Sequence, residues 1–399
     1  MFKERIKTHH SAMGDGKKHL KGPGNVSELL SVARNNTDNA VIYIHVPFCT
    51  KICTFCNMRR SLQAPTREYA DLIVEEIREY SKLEYVKNTV FDAVYFGGGT
   101  PTTLSSADLT KILRTLKAEL TFTEDAEFTV ETTVTQLQEE KWRTLIEEGV
   151  NRFSLGVQTF NEDGRKLMGR IGSGEKAYEL LKALKQVNVT VSMDVIYNYP
   201  GQSMEDLYED LDKIIKLDLD GFSMYSLIDM KETKIREAQG QDNDEKMFLA
   251  ISEHMEKAGY RFLELTKMVK GDSYRYIMNR HAGADTLPLG AGAGGSMRGV
   301  AMMNPINLDE YKDSILDFKK RMGMEFLPSY KDIVRFKGDI QTIRLPRNTE
   351  LYKDKKAYLE MLSKLIENEM VCKKNNEFYL TQKGVYWGNT ISRELYNLI

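Results

Sequence analysis

The chain has 399 residues, 41% hydrophobic and 29% charged, with a formal net charge of −2. That length suits two or three domains, or one large barrel with additions, and near-neutrality gives no overall pull toward nucleic acid or an anionic membrane. No apolar run approaches a membrane span, Met1-Phe-Lys-Glu-Arg-Ile-Lys7 lacks the apolar stretch of a signal peptide, and four cysteines are too few for a disulfide scaffold, so a reducing, cytoplasmic setting is expected.

Residues 1–40 read as an irregular arm with His9, His10, His19 and a basic excess at Lys17, Lys18 and Lys21. Solvated lead-in is the plain reading, and a ligand from His9 or His10 is the alternative. Over 41–266, short β-branched runs alternate with helical periodicity. Strands are predicted at Val41–Val46, Ala93–Phe96, Glu127–Glu131, Arg152–Val157, Thr190–Tyr197 and Gly221–Leu227. Helices are predicted at Thr66–Lys82, Ala107–Leu120, Gln138–Glu148, Glu175–Val187 and Met204–Leu217, with Ser105 and Asp108 spaced as a capping pair. Repeated strand–helix units imply an α/β fold with parallel strands and right-handed crossovers, and six of them make an open, partial (β/α)6 barrel. A helix (Glu245–Ala258) and a strand (Tyr260–Thr266) follow. Residues 267–325 begin with an aperiodic run, Lys267–Val300, and are expected to cover the substrate. Residues 326–399 order a helix (Lys353–Asn368), two strands (Met370–Lys373, Glu377–Leu380) and a last helix (Val385–Leu398) like a small winged-helix module. It lacks a basic stripe, so packing or substrate capping is expected and nucleic-acid binding is not. Cys372 in this module is expected to be a buried structural thiol.

Cys49, Cys53 and Cys56 form a C-x3-C-x2-C run directly after the first predicted strand. Thiolates ligate iron–sulfur clusters. Three of them on a four-iron cluster leave one iron open, and an open position marks a metal site built for chemistry. A zinc knot or redox disulfide is the blander reading. Zinc would want a fourth Cys or His nearby; strand alternation turns His45 away from the loop, and Cys372 is over three hundred residues distant. Other polar residues fall where a parallel barrel collects its chemistry, at the carboxyl ends of strands. Gly97-Gly98-Gly99-Thr100-Pro101 follows the second strand, Glu131 ends the third and Gln158 the fourth. Asp194 lies in the fifth, and Tyr225 and Ser226 end the sixth.

The cysteine spacing resembles that of radical S-adenosylmethionine (SAM) enzymes. There SAM's amino and carboxylate groups chelate the open iron of a [4Fe-4S] cluster, and an electron breaks a carbon–sulfur bond to free a 5′-deoxyadenosyl radical. On that resemblance the triple glycine would admit SAM's amino-acid end. Glu131 would meet its amino group, and Gln158, Arg170 and Asp194 would hold ribose or carboxylate. For the charged residues a buried ion pair is the alternative.

The runs Tyr43-Ile-His-Val-Pro-Phe-Cys49, Cys53-Thr-Phe-Cys56, Gly97-Gly-Gly-Thr-Pro101, Arg152-Phe-Ser-Leu-Gly-Val-Gln158-Thr-Phe160, Gly169-Arg170 and Asp194…Pro200-Gly-Gln202 are more specific. They resemble the oxygen-independent coproporphyrinogen III oxidase superfamily over residues 40–260, with a weaker echo in Leu380-Thr-Gln-Lys-Gly384. The resemblance implies two SAM molecules side by side. Tyr43, Gly98, Gly99 and Glu131 would hold the first; Phe55, Thr100, Gln158, Arg170, Asp194 and the stretch around Ser226 would hold the second. Met58 stands where the oxidase carries a further cysteine, and the His-Asn-x-x-Tyr-Trp element typical of the heme-chaperone branch is absent. In its place stand Tyr274-Arg-Tyr-Ile-Met-Asn-Arg280-His-Ala-Gly-Ala-Asp285 and Gly290-Ala-Gly-Ala-Gly-Gly295. These are similar to the anaerobic heme-degrading branch, the anaerobilin synthase group of radical SAM methyltransferases.

That branch implies heme or a related tetrapyrrole as substrate, methyl or methylene transfer from the second SAM, ring opening and iron release. It also implies a flavodoxin- or ferredoxin-type reductant. A heme needs an apolar slot and cations for its two propionates. Arg59, Arg60, Arg275 and Arg280 are candidates, since the guanidinium fork suits carboxylates, and His281 is a candidate iron ligand. Surface arginines and an ordinary hydrogen-bonded histidine are the plain alternatives. A heme-binding chaperone without ring chemistry, and oxidative decarboxylation of coproporphyrinogen III, are the competing activities.

Overall fold

The chain first lays down β1 (Leu20–Asn25). The strands β2 (Ala40–Val46), β3 (Val90–Gly98), β4 (Thr121–Thr133), β5 (Arg152–Gln158), β6 (Thr190–Tyr197) and β7 (Gly221–Ser226) follow in a computed structural model that describes residues 1–7, 16–36, 38–228, 234–235 and 241–399. His9 and His10 lie outside the described residues. β2 to β7 pair in chain order, all parallel. Helices Arg67–Ser81, Ser106–Glu119, Glu139–Glu147, Gly174–Leu184 and Met204–Lys216 cross between them, where the sequence periodicity places helices. Ser105 caps the second as expected, its side chain accepting from the Asp108 amide at 3.1 Å. Ile42, Ile44, Val94, Phe96 and Val130 belong to the main core with the helices, while Val41, Ala93 and Tyr95 form a separate cluster with Tyr276 on the inner face. Burial on both faces explains why these strands read as continuous apolar runs.

The segment expected to lack periodicity holds several short strands and a helix, Arg275–His281. After β8 (Arg261–Glu264) come β9 (Lys267–Val269), β10 (Asp285–Leu289), β11 (Gly294–Met297), β12 (Val300–Met303) and β13 (Met322–Phe326). The sheet runs β1-β13-β12-β11-β10-β2-β3-β4-β5-β6-β7-β9-β8. β10 is parallel to β2, so among the described residues seven strands, not six, are parallel. Pro288 and the glycines after it hide β10 from a periodicity argument. The arm is not irregular throughout either, because β1 pairs antiparallel with β13. In the C-terminal module, helix Lys355–Glu367 and the hairpin of β14 (Val371–Lys374) and β15 (Glu377–Leu380) appear as expected. The last helix is broken at Trp387 into Gln382–Tyr386 and Gly388–Tyr396. Gly388 approaches Leu265 so closely that a Cβ would stand 2.4 Å from its Cδ2. Cys372 is half-buried on β14, not fully enclosed. Among the described residues no helix is long and apolar enough to cross a membrane.

The amino-terminal end of the half-barrel is closed by charge and aromatic rings. Arg152 donates to both carboxylate oxygens of Asp272 at 2.9 and 2.7 Å, and Lys267 stands 3.2 Å from the same carboxylate. Burial opposes the Asp272 charge, yet the two cations hold its carboxyl well below the usual range. Tyr274 covers the Arg152 guanidinium at 4.2 Å, and the amides of Arg275 and Tyr276 donate to Glu127.

A second buried anchor ties the flanking strands to the first helix. The Glu76 carboxylate is fully buried and accepts from Arg321 at 2.5 Å, the Tyr311 hydroxyl at 2.5 Å, Asn304 at 2.8 Å and the Gly290 amide at 2.8 Å. Removing one partner of such a pair leaves the other charge stranded. Glu76→Ala is therefore expected to cost about 3–5 kcal/mol in urea denaturation, whereas an exposed-pair variant such as Lys82→Ala should shift stability by less than about 1 kcal/mol.

Candidate radical SAM site

The cysteine loop leaves β2 and closes on itself through backbone bonds. The Ser61 amide donates to the Pro47 carbonyl at 2.7 Å, and the Cys49 amide donates to the Ser61 carbonyl at 2.9 Å. Its far side is fixed by Thr54, whose amide and hydroxyl donate to the carbonyls of Met168 (3.1 Å) and Leu167 (2.8 Å). Those acceptors end helix Glu162–Leu167, which periodicity alone missed. Strand alternation predicts that His45 turns away from the loop. Instead its Nε2 lies 3.2 Å from the Arg59 carbonyl, and its ring packs where a Cβ on Gly98 would come within 2.7 Å.

Cys49, Cys53, Phe55, Cys56, Gly98, Gly99, Thr100, Glu131, Gln158, Arg170, Asp194 and Ser226 all line one open cleft at the carboxyl ends of the strands. Arg60 joins them, its guanidinium donating to the Cys56 carbonyl at 2.6 Å. Tyr43 does not line the cleft. Its hydroxyl meets His45 Nδ1 at 2.9 Å, and its ring stacks with Tyr276 and Tyr95 below. The other substrate candidates stand elsewhere. Arg59 belongs to the loop but does not line the cleft, its guanidinium lying 3.0 Å from Met303 Sδ. Arg275 pairs with Asp92 and Asp125. Arg280 lies over Tyr276 and donates to its hydroxyl at 3.2 Å. His281 is 3.0 Å from Glu264 and lines a second cavity against helix Ser329–Gln341. Lys7 was missed by sequence reasoning, since nothing local marks it. It reaches the cleft's edge from the amino-terminal arm and donates to the Ser226 hydroxyl at 3.2 Å.

Burial raises the Cys49 and Cys56 thiols, with a Thr100 hydroxyl 3.8 Å from Cys49 Sγ partly offsetting the effect on Cys49. Burial, with the Asp194 charge adding to it, pushes the Glu131 carboxyl up to about 7 despite donors from Tyr95 (2.5 Å) and the Gly98 amide (3.3 Å). Asp194 is likewise raised by burial, against the pull of Lys267. Gln158 holds a left-handed φ of 70° at the end of β5, the sparsely populated geometry that collects at functional sites.

The donor set fits a thiolate-bound cluster and a polar organic ligand. Three thiols face one cleft, and Arg170 Nη1 lies 3.1 Å from Cys53 Sγ. Three polar atoms shielded within the cleft, Arg60 Nε, Gln158 Oε1 and Arg170 Nε, have no partner. Buried polar atoms are rarely left so, and a bound ligand would satisfy them. Among the described residues no group of three His, Cys, Asp or Glu side chains is placed to hold a single metal ion.

Residues 43–214 match the radical SAM superfamily. The chain carries a radical SAM domain. Its fold superimposes on coproporphyrinogen III oxidase of Escherichia coli with a TM-score of 0.78, covering 94% of each chain at 22% identity. It is 29% identical over 375 residues to anaerobilin synthase of Escherichia coli O157:H7, covering 90% of this chain and 84% of that one. It is 28% identical over 368 residues to heme chaperone HemW of Lactococcus lactis, covering 88% and 95%. A third relative, oxygen-independent coproporphyrinogen III oxidase of Cereibacter sphaeroides, is 34% identical over 188 residues, covering 46% and 41%. The family thus implies a [4Fe-4S] cluster and SAM, and its relatives handle tetrapyrroles.

A Cβ on Gly99 would stand 2.6 Å from the carbonyl oxygens of Pro47 and Phe48, against rigid backbone. Gly99→Ala is expected to displace the cysteine loop while the far-UV circular dichroism stays native. Iron and sulfide per chain should fall, and SAM affinity, by equilibrium dialysis, should weaken at least about tenfold, or 1.4 kcal/mol.

Proposed function

We propose that the chain degrades heme under anaerobic conditions, transferring a methyl(ene) group from a second SAM to the macrocycle, with ring opening and iron release. The observation that supports this most is likeness to anaerobilin synthase over nine-tenths of the chain, joined to Met58 in place of the oxidase's extra cysteine and to the lack of the chaperone's His-Asn-x-x-Tyr-Trp element. The cluster with SAM would supply a primary carbon radical to start the reaction.

The chain's own residues do the positioning. Cys49, Cys53 and Cys56 would hold the cluster. Gly98, Gly99 and Glu131 would seat the amino-acid end of the first SAM, with Tyr43 supporting from beneath through His45. Phe55, Thr100, Gln158, Arg170, Asp194 and Ser226 would hold the second SAM. Arg60 is the one arginine candidate at the cleft able to meet a propionate there. Enclosure matters because a free radical reacts with whatever lies nearest. A flavodoxin- or ferredoxin-type protein would feed in the electron.

A chaperone reading has its own support, since the match to HemW spans 95% of that protein. Anaerobic incubation with SAM, dithionite and heme separates the readings. Degradation predicts loss of the Soret band together with deoxyadenosine, S-adenosylhomocysteine and an opened tetrapyrrole by mass spectrometry. A chaperone would bind heme and leave the band intact, and a decarboxylase would consume coproporphyrinogen III instead. Cys53→Ala should lose cluster absorbance and every product; turnover by that variant would end the radical reading.

With its carboxyl near 7, Glu131 gains full charge only above that pH. Affinity for SAM should rise as pH climbs through about 7, because the carboxylate accepts a hydrogen bond from SAM's amino group better than the protonated acid does. Glu131→Gln should flatten that rise and weaken binding above it, by calorimetric titration.

A further inference from the structure

Each thiol of the cysteine loop has a polar neighbour of its own. The Thr100 hydroxyl lies 3.8 Å from Cys49 Sγ, the Met58 main chain bonds to Cys56, and Arg170 Nη1 lies 3.1 Å from Cys53 Sγ. Of these three neighbours only Arg170 carries a charge. Its position is fixed from several sides. The Arg170 amide donates to the Arg165 carbonyl at 2.9 Å, and Nη2 donates to the Gly156 carbonyl. A Cβ on Gly156 would already come within 3.4 Å of Nη2. Arg165 is 1% exposed and ties the turn down, donating to the carbonyls of Val157 and Thr159 at 3.0 Å and of Gly172 at 2.9 Å. Thr54, next to Cys53, bonds to the carbonyls of Met168 and Leu167 just before Arg170. Cys53 and Arg170 are thus held against each other by main-chain bonds. Among the described residues no carboxylate pairs with Arg170, so its charge is not spent on a neighbouring acid.

We infer that Arg170, through its bond to the Cys53 sulfur, holds up the reduction potential of the cluster and so sets how readily the cluster takes an electron. The inference deepens the radical SAM reading of the cleft and rests on it. Net charge and hydrogen bonds to the sulfurs are among the levers that set cluster potentials. Taking up one electron adds one negative charge to the cluster and its thiolates. A charged donor at a thiolate sulfur favours the more negative state, because charge-assisted hydrogen bonds strengthen with the charge on the acceptor. In this role Arg170 is a positioning residue that acts through Cys53. The role is separate from any contact to SAM, and a potential read without SAM isolates it.

The test uses the cluster-loaded full chain without added SAM. A dye-mediated potentiometric titration, followed by electron paramagnetic resonance, reads the midpoint potential. Arg170→Gln, which removes the charge, should lower the midpoint and make the cluster at least tenfold harder to reduce, a shift of about 59 mV for one electron. Iron and sulfide per chain should stay unchanged. Arg170→Lys, which keeps the charge, should fall between that variant and the unmodified protein. Arg60→Gln removes a like charge from the same cleft, but Arg60 donates to the Cys56 carbonyl and not to a sulfur, so its shift should be clearly smaller. A second measurement needs no Arg170 variant. In unmodified protein carrying nitrogen-15 in its guanidinium groups, pulsed electron paramagnetic resonance of the reduced cluster should show a weak nitrogen coupling. That coupling should persist in Arg60→Gln and vanish in Arg170→Lys. The inference is overturned if Arg170→Gln titrates at the unmodified midpoint, or if Arg60→Gln shifts as far. It is equally overturned if the labelled unmodified protein shows no coupling, and this result decides the matter should the Arg170 variants fail to load a cluster. Failure of the radical SAM reading itself would show earlier, as unmodified protein without a reducible cluster.

Discussion

Arg152 and Asp272 meet in the floor of the half-barrel, and the chemistry of the rim depends on that contact. Parallel strands open at both ends would let water and solutes through. Here the buried ion pair, Lys267 and the rings of Tyr274 and Tyr276 fill one end. A network of this kind tolerates burial because each charge has a partner, with Thr129 and Ser192 accepting further bonds from Arg152 and Lys267. With one end filled, polar residues at the strands' carboxyl ends have a single cavity to share. Glu131 and Asp194 are raised by the same enclosure, so the floor helps set the protonation of the cleft above it.

The glycines of the second strand end are understood through their neighbours. Gly98 leaves room for the His45 ring, and Gly99 for the carbonyls of Pro47 and Phe48. His45 then grips the loop at Arg59. The cysteine loop is thus held from beneath by a histidine, at its base by Ser61 and at its far side by Thr54, before any cofactor binds.

Much of this was legible in the sequence because it is local. β2 to β7 show as short apolar, β-branched runs, and their alternation with 3.6-residue helical periods points to a parallel order. The cysteine spacing and the rim positions of Glu131, Gln158 and Asp194 follow from knowing where strands end. What stayed hidden is non-local. β1 finds its partner β13 some three hundred residues later. β10 carries a proline and lies beside glycines, so only its pairing with β2 reveals it. Tyr43 reads as a ligand at a rim, yet its ring stacks with Tyr95 of β3 and with Tyr276 of helix Arg275–His281, which sequence pattern does not place. The same helix takes Arg275, Arg280 and His281 away from the cleft.

A single sheet of this width leaves two margins, β1 and β8, with main-chain groups able to recruit a strand from another molecule. β1 carries Pro23, which offers no amide hydrogen, and Lys21, whose ammonium is engaged with Glu325 2.8 Å away. β8 is four residues long. The molecule therefore resists edge-to-edge fibril growth at the borders where so broad a sheet would otherwise invite it.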